Sequence, residues 1–268
     1  MSAFFYLYGL IPTAEKNEKS FIPFKGIDKE HESYTISMGD ITAIGSDVRE
    51  EEYSEEVIKD KMNNDMEWLQ EKAMHHHDVL AALQSQYTVI PMKFCTIYKS
   101  KNSMEQQIGA SRKKINDSFL KVMGNEEWNL KIYYDGTKLK DHLRNSHLGI
   151  AAKKEEISKL PPGRQFFEKR KLDQHLDQEV EREINKRCED IHNQLTQFSD
   201  YSTVKKNLSK EVTGKIYEMS WNSVYLIPLP QVEAFLEDIQ EKKQSYEEFG
   251  LQMEASGPWP AYHFANLA

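Results

Sequence analysis

Three consecutive histidines, His75-His76-His77, are the first residues of this chain whose type invites chemistry. Imidazoles carry protons and ligate metals near neutral pH. Successive helical residues point about 100° apart, so three in a row do not converge on one ion. No further histidine or acidic cluster has the His-Glu-x-x-His spacing. One histidine at the core edge and two in water is the expectation. Cys95 lies in Pro91-Met92-Lys93-Phe94-Cys95-Thr96. A nucleophilic cysteine needs a lowered pKa and a base nearby. The sequence offers histidines but no nucleophile signature, so Cys95 reads as a small buried hydrophobe near the end of a strand. Pro161-Pro162-Gly163-Arg164 could cradle an anion at a helix N-terminus. Prolines at the donor positions make it a helix start instead. Glycine-rich phosphate loops, the Gly-x-Ser-x-Gly elbow and calcium loops are missing from the sequence. No catalytic residue, cofactor or metal ligand is assigned.

The last residues offer binding rather than catalysis. In Gly257-Pro258-Trp259-Pro260-Ala261-Tyr262-His263-Phe264 two prolines bracket a tryptophan, and two more aromatics follow. Proline fixes φ and lacks a donor, so this stretch is neither helix nor interior strand. An extended tail over 257–268 is expected. Trp259, Tyr262 and Phe264 are its docking residues, on its own domain or on a partner.

The elements that position these groups follow from hydrophobic period. Ala3 to Leu10 reads as a first strand. Ser33–Met38 and Ile41–Val48 form a hairpin about Gly39-Asp40. Ser54 caps a helix whose stripe runs from Ile58 through Met62, Met66 and Leu69 to Leu83, with a break near Asn63-Asn64. Tyr87 to Tyr98 is β-prone, with Pro91 marking an edge or bulge. Ser103 and Gln106 suggest a capping box for a helix ending at Gly124-Asn125. Trp128 to Tyr134 is a strand, with a short helix near Leu139. A long helix from Pro161 to about Phe198 would span roughly 50–55 Å. Two strands, a helix beginning at Pro230 and a final strand over Phe249–Glu254 complete the chain. The fold class is therefore α+β in two domains. Residues 1–124 form a helix-on-sheet domain. Residues 125–256 run β-α-β-β-α-β, the order of ferredoxin-like folds.

Composition narrows the function classes. The 268 residues carry 43 acids and 35 bases, a net charge of −8. A global basic field for nucleic acid is absent. Arg112-Lys113-Lys114 and Lys169-Arg170-Lys171 read as solvated helix faces. Two cysteines without ligand spacing support neither a disulfide framework nor a zinc site. Ala3 to Leu10 is strand-length and breaks at Pro12, so no signal peptide or membrane span is expected, and the default location is the cytoplasm.

Five motifs in order resemble the GvpF/GvpL family of gas vesicle accessory proteins. Phe5-Tyr6-Leu7-Tyr8-Gly9-Leu10 is similar to its Tyr-Leu-Tyr-Gly-Ile start. His76-His77-Asp78-Val79-Leu80 and Val89 to Tyr98 are similar to its His-x-x-Val-Leu and Val-x-Pro-x-Arg-Phe-Gly-Thr block. Gly163 to Arg170 is similar to Gly-x-x-Tyr-Leu-x-Arg-Arg. Trp221 to Pro228 resembles a late hydrophobic strand, and Gly257 to Phe264 resembles Gly-Pro-Trp-Pro-Pro-Tyr-x-Phe. Cys95 stands where the family has glycine, Lys93 where it usually has arginine, and Ala261 where it has a second proline.

The resemblance implies a two-domain α+β protein that binds the shell protein GvpA, and other accessory proteins, and helps to nucleate or grow the gas vesicle. It implies no enzymatic chemistry, nucleic acid or membrane. Two rival readings are a small-ligand regulator on a ferredoxin-like sheet and a hydrolase using Cys95 with a histidine.

Overall fold

A computed structural model describes residues 3–146, 153 and 155–265. Residues 266–268 of the tail lie outside the described residues. The chain divides into two units, Met1–Glu127 with Pro258–Ala268, and Trp128–Gly257. Helices and two antiparallel sheets make up the structure.

In the first unit, β1 (Ala3–Pro12) and α1 (Thr13–Glu18) precede β2 (Ser33–Met38) and β3 (Ile41–Arg49). β1 lies between β3 and the two-residue strands β4 (Ile90–Pro91) and β5 (Ile97–Tyr98), and β2 is outermost. Its residues Phe4–Ile11 are all buried, as befits a central strand covered on both faces. A register shift between Leu7 and Gly9 marks a bulge. It changes the side-chain phase, so Phe4, Tyr6, Tyr8 and then Ile11 share one core with Ile58, Val79, Leu80 and Leu83. At Gly45 a Cβ would stand 2.3 Å from the Tyr6 carbonyl oxygen and the Phe5 ring, so β3 can lie this close to β1 only with glycine there. Gly39, at φ 79°, supplies the turn between β2 and β3.

Helices α2 (Glu50–Tyr53), α3 (Glu55–Asn64) and α4 (Met66–Gln84) follow. The expected break falls at Asp65, whose carboxylate caps α4 by accepting from the Trp68 amide at 2.9 Å. Met62 and Met66 leave the stripe and stand 41% and 73% exposed. Helices α5 (Lys101–Ala110) and α6 (Arg112–Val122) are separate, divided at Ser111. The capping box uses Ser100 with Ser103, three residues before the expected position. Arg112 ties α6 to the hairpin by donating to the Met38 carbonyl at 2.8 Å and to Asp40.

The second unit contains most of β6 (Asn125–Tyr134), then α7 (Gly136–Ser146), α8 (Pro162–Leu195), β7 (Tyr201–Val204), α9 (Lys210–Thr213), β8 (Glu218–Pro228) and α10 (Val232–Glu247). β9 (Leu251–Trp259) ends the sheet, whose order is β7-β8-β6-β9. The core joins Leu130 and Ile132 to Val180, Ile184, Cys188, Ile191 and Leu195 of α8, and to Phe235 and Ile239 of α10. Buried residues of α8 begin at Leu176, so its first turns hold Phe166 and Phe167 in solvent at 66% exposure each.

The tail corrects one expectation. It is extended through β9 to Trp259, with Pro258 in an edge strand that tolerates a missing donor. Beyond Pro260 the chain turns, and the Ala265 amide donates to the Ala261 carbonyl at 3.0 Å. Ala261, where the family motif carries proline, opens this turn as its acceptor, and both Ala261 and Ala265 are buried.

Candidate functional site

The histidine triplet organises the first unit, and it does so by diverging. His76 points into the core. Its Nε2 lies 3.1 Å from the Met92 carbonyl, which can only accept, so Nε2 carries the proton. Nδ1 then accepts from the Tyr6 hydroxyl at 2.8 Å. That hydroxyl also accepts from the Cys95 amide at 3.3 Å. Burial lowers the His76 pKa to about 4, so the ring is neutral. The chain Cys95–Tyr6–His76–Met92 fastens the segment between β4 and β5 to α4. It unites the His-x-x-Val-Leu block with the Val-x-Pro block.

His75, one residue earlier, meets the Tyr8 hydroxyl at 3.1 Å. His77, one later, meets the Tyr262 hydroxyl at 3.3 Å, and its ring lies 5.1 Å from Trp259. The expectation of two histidines in water is therefore corrected. The same 100° fan that forbids a shared metal lets three neighbours serve three surfaces. Among the described residues no group of three His, Cys, Asp or Glu could hold a metal ion.

Cys95 sits in a turn rather than a strand. The Thr96 amide donates to the Lys93 carbonyl at 3.0 Å, and Cys95 has φ 61°. That is the third position of a four-residue turn, where a type II turn takes glycine. The resemblance places glycine at this position, and the backbone gives the reason. The thiol is half-buried, and burial pushes its pKa up to about 12, the opposite of what a nucleophile needs.

The tail residues gather on the first unit. Phe264 is 8% exposed, with the Lys121 ammonium 5.1 Å from its ring centre. Tyr262 is half-buried against His77, and its hydroxyl pKa rises to about 12 through burial, with the Glu127 charge adding to it. Trp259 is half-buried. The deepest polar anchor is one that sequence reasoning missed. Glu127, 1% exposed, accepts from the His263 backbone amide at 3.0 Å and from its Nδ1 at 2.6 Å. Strand alternation puts Glu127 opposite Trp128, Leu130 and Ile132, on the face expected to meet water, and nothing local reveals that the tail covers it.

On another side of α4 lies an apolar groove of about 390 Å³. One wall is Phe21-Ile22-Pro23-Phe24. The other is the α4 stripe His75, Asp78, Val79, Ala82 and Leu83, continued by Gln86 and Tyr87. From His75 to Leu83 the stripe rises eight residues along α4, about 12 Å or a little over two turns. Ile22 stands 73% exposed on the rim. The Tyr8 ring beneath packs edge-on against Phe24.

These features define a mixed helix-and-sheet protein with two antiparallel sheets and a self-docking aromatic tail. A family model described as gas vesicle synthesis protein GvpL/GvpF matches residues 4–266, and the chain belongs to that family. Gas vesicle protein L of a Streptomyces species is 21% identical over 234 residues, covering 86% of this chain and 82% of that protein. Gas vesicle protein F1 of Halobacterium salinarum is 20% identical over 266 residues, covering 98% and 92%. The crystal structure of GvpF from an Anabaena species matches with TM-score 0.71 at 18% identity over all of both chains. That of GvpF from Microcystis aeruginosa matches with TM-score 0.66 at 18% identity, covering 99% and 100%. At that identity the likeness is one of fold. No helix among the described residues is long and apolar enough to cross a membrane.

Proposed function

We propose that this chain is a gas vesicle accessory protein that binds the shell protein GvpA, with other accessory proteins, and helps to nucleate or grow the vesicle in the cytoplasm. Membership of the GvpL/GvpF family over residues 4–266 carries the reading, because the match takes in both units and most of the tail. The second unit is read as ferredoxin-like. Its order β6-α8-β7-β8-α10-β9 along the chain and β7-β8-β6-β9 in the sheet supports this, with α7 as an added helix. The role is one of binding rather than catalysis. Cys95 holds its thiol protonated, and His76 is committed to fastening a turn.

The groove beside α4 supports a mode of capture. An apolar helical face of about two turns, walled on its other side by Phe21–Phe24, is the shape that an amphipathic helix fills with i, i+3 and i+7 anchors. An apolar segment of the shell protein would seat there while the net charge of −8 keeps the complex dispersed. Co-purification of GvpA with the full chain at moderate salt tests the reading. Retention of GvpA with no shift of duplex DNA is expected. A DNA shift without GvpA retention would refute it. A groove of about 390 Å³ also falls in the size range of small-ligand sites, which keeps a ligand-binding regulator as the second reading. Thermal stabilisation by a metabolite, with no GvpA retention, would favour that one.

A further inference from the structure

The groove beside α4 is apolar on both walls, but its charge is one-sided. Of the residues that line it, only His75 and Asp78 have side chains that could carry charge near neutral pH. Burial holds the His75 pKa below the ordinary histidine value, with the Lys72 and Lys29 charges adding to it, so the ring is neutral at pH 7. Both of those lysines pair with Glu71. At the other end of the groove, Lys19 donates to the Gln86 carbonyl and lies 5.6 Å from the centre of the Tyr87 ring. Asp78 stands exposed on the rim and makes no hydrogen bond or ion pair among the described residues. It is therefore the charge that an occupant meets.

The surrounding helices carry the same sign. Residues 50–84, which run from α2 through α4, hold ten acids and three bases, a net charge of −7 in a chain of −8. Ile58 of α3 shares one core with Val79 and Leu83 of α4, so the acids of α3 ride on the layer that forms the groove wall. A field of this sign draws in cationic partners and turns acidic ones away.

We propose that the α4 groove takes an amphipathic helix that carries basic residues, one of which meets Asp78 while the apolar side seats against Val79, Leu83 and the Phe21–Phe24 wall. This rests on the reading that the groove captures the shell protein, and it names the kind of segment captured.

The test uses the full chain and two blocked, alanine-rich helical peptides with the same leucines at i, i+3 and i+7. One peptide carries lysines beside the leucines and the other carries glutamates. By calorimetry at low salt the lysine peptide should bind at least about tenfold tighter, and its advantage should fall as salt is raised. The lysine peptide with alanine for leucine should not bind. Asp78→Lys should cut the preference for lysine at least about threefold, the scale of an exposed ion pair lost and a like pair set in its place. Equal binding of the two charged peptides, or binding of neither, would overturn the proposal. So would equal binding of the leucine-free peptide, or a preference that Asp78→Lys leaves unchanged. The peptide comparison on the parent chain gives the answer even if Asp78→Lys fails to fold. GvpA retention measured alongside separates the two readings. Lysine-peptide binding without GvpA retention would sustain the groove's preference and refute the shell protein as its occupant. GvpA retention that Asp78→Lys does not weaken would refute this proposal alone.

Discussion

Two residues of the first unit carry sharp consequences. The Cys95 backbone occupies the left-handed region, which costs an L-residue roughly 1–2 kcal/mol. Sequence alone assigns Cys95→Gly an entropic cost of roughly 0.5–1 kcal/mol. The turn reverses the balance, and Cys95→Gly should leave the chain unchanged or up to about 1 kcal/mol more stable, as read by urea denaturation. Cys95→Val should destabilise it, since a branched side chain resists that φ. For His76 the folded pKa of about 4 lies below the unfolded value of about 6.5. The unfolded chain therefore binds the proton first as pH falls. The stabilisation is complete above about pH 6.5 and lost between there and about pH 4. At 1.36 kcal/mol per unit, His76 alone removes up to about 2 kcal/mol by pH 5. His75 and His192, also lowered by burial, act in the same direction. Stability curves at pH 7 and pH 5 check this. His76→Gln should flatten the difference without abolishing it, and an unchanged difference would remove His76 as its source.

Among elements, the tail is the one whose partner was hidden. Its aromatic and proline content announced docking, but residue type does not say onto what. The answer depends on Glu127, over a hundred residues earlier, and on His77, which reaches the tail only because α4 turns it that way. The extended part was legible from its prolines, and the turn at 261–265 was not, because alanine and tyrosine carry no turn signal. Helix limits slipped for a similar reason. Ser100 and Ser103 are both good caps, and only the strand ending at Tyr98 decides between them. The geometry gives Phe264, nearly buried, a larger share of the clasp than half-buried Trp259. Phe264→Ala should cost about 2–4 kcal/mol and Trp259→Ala about half as much, by thermal melts. His263→Ala should cost about 1–3 kcal/mol, because it takes the imidazole partner from the buried Glu127 carboxylate and leaves it the backbone amide of residue 263. Deleting residues 257–268 should lower the melting temperature. A truncated chain that melts like the full one would show that the tail is no part of the first unit's stability.

At the scale of the molecule, the helix-and-sheet class and the family were readable because periodicity and five ordered motifs span the whole chain. The strand order was not, since short strands such as Ile90–Pro91 and Ile97–Tyr98 take their place from β1 rather than from their own residues. The groove escaped notice because Phe21-Ile22-Pro23-Phe24 reads as loop until α4 stands opposite it. On the reading proposed above, an apolar segment of the shell protein seats in that groove. Ile22→Asp with Ala82→Asp places two charges there at exposed positions, so the fold should survive with a melting temperature within about 2 °C of the parent. The decisive measurement is retention of GvpA by the parent and by this double variant at equal concentration. The account predicts firm retention by the parent and at least about a tenfold loss in the variant, the effect of a charge set in an apolar contact. Full retention by the variant, or none by the parent, would contradict it.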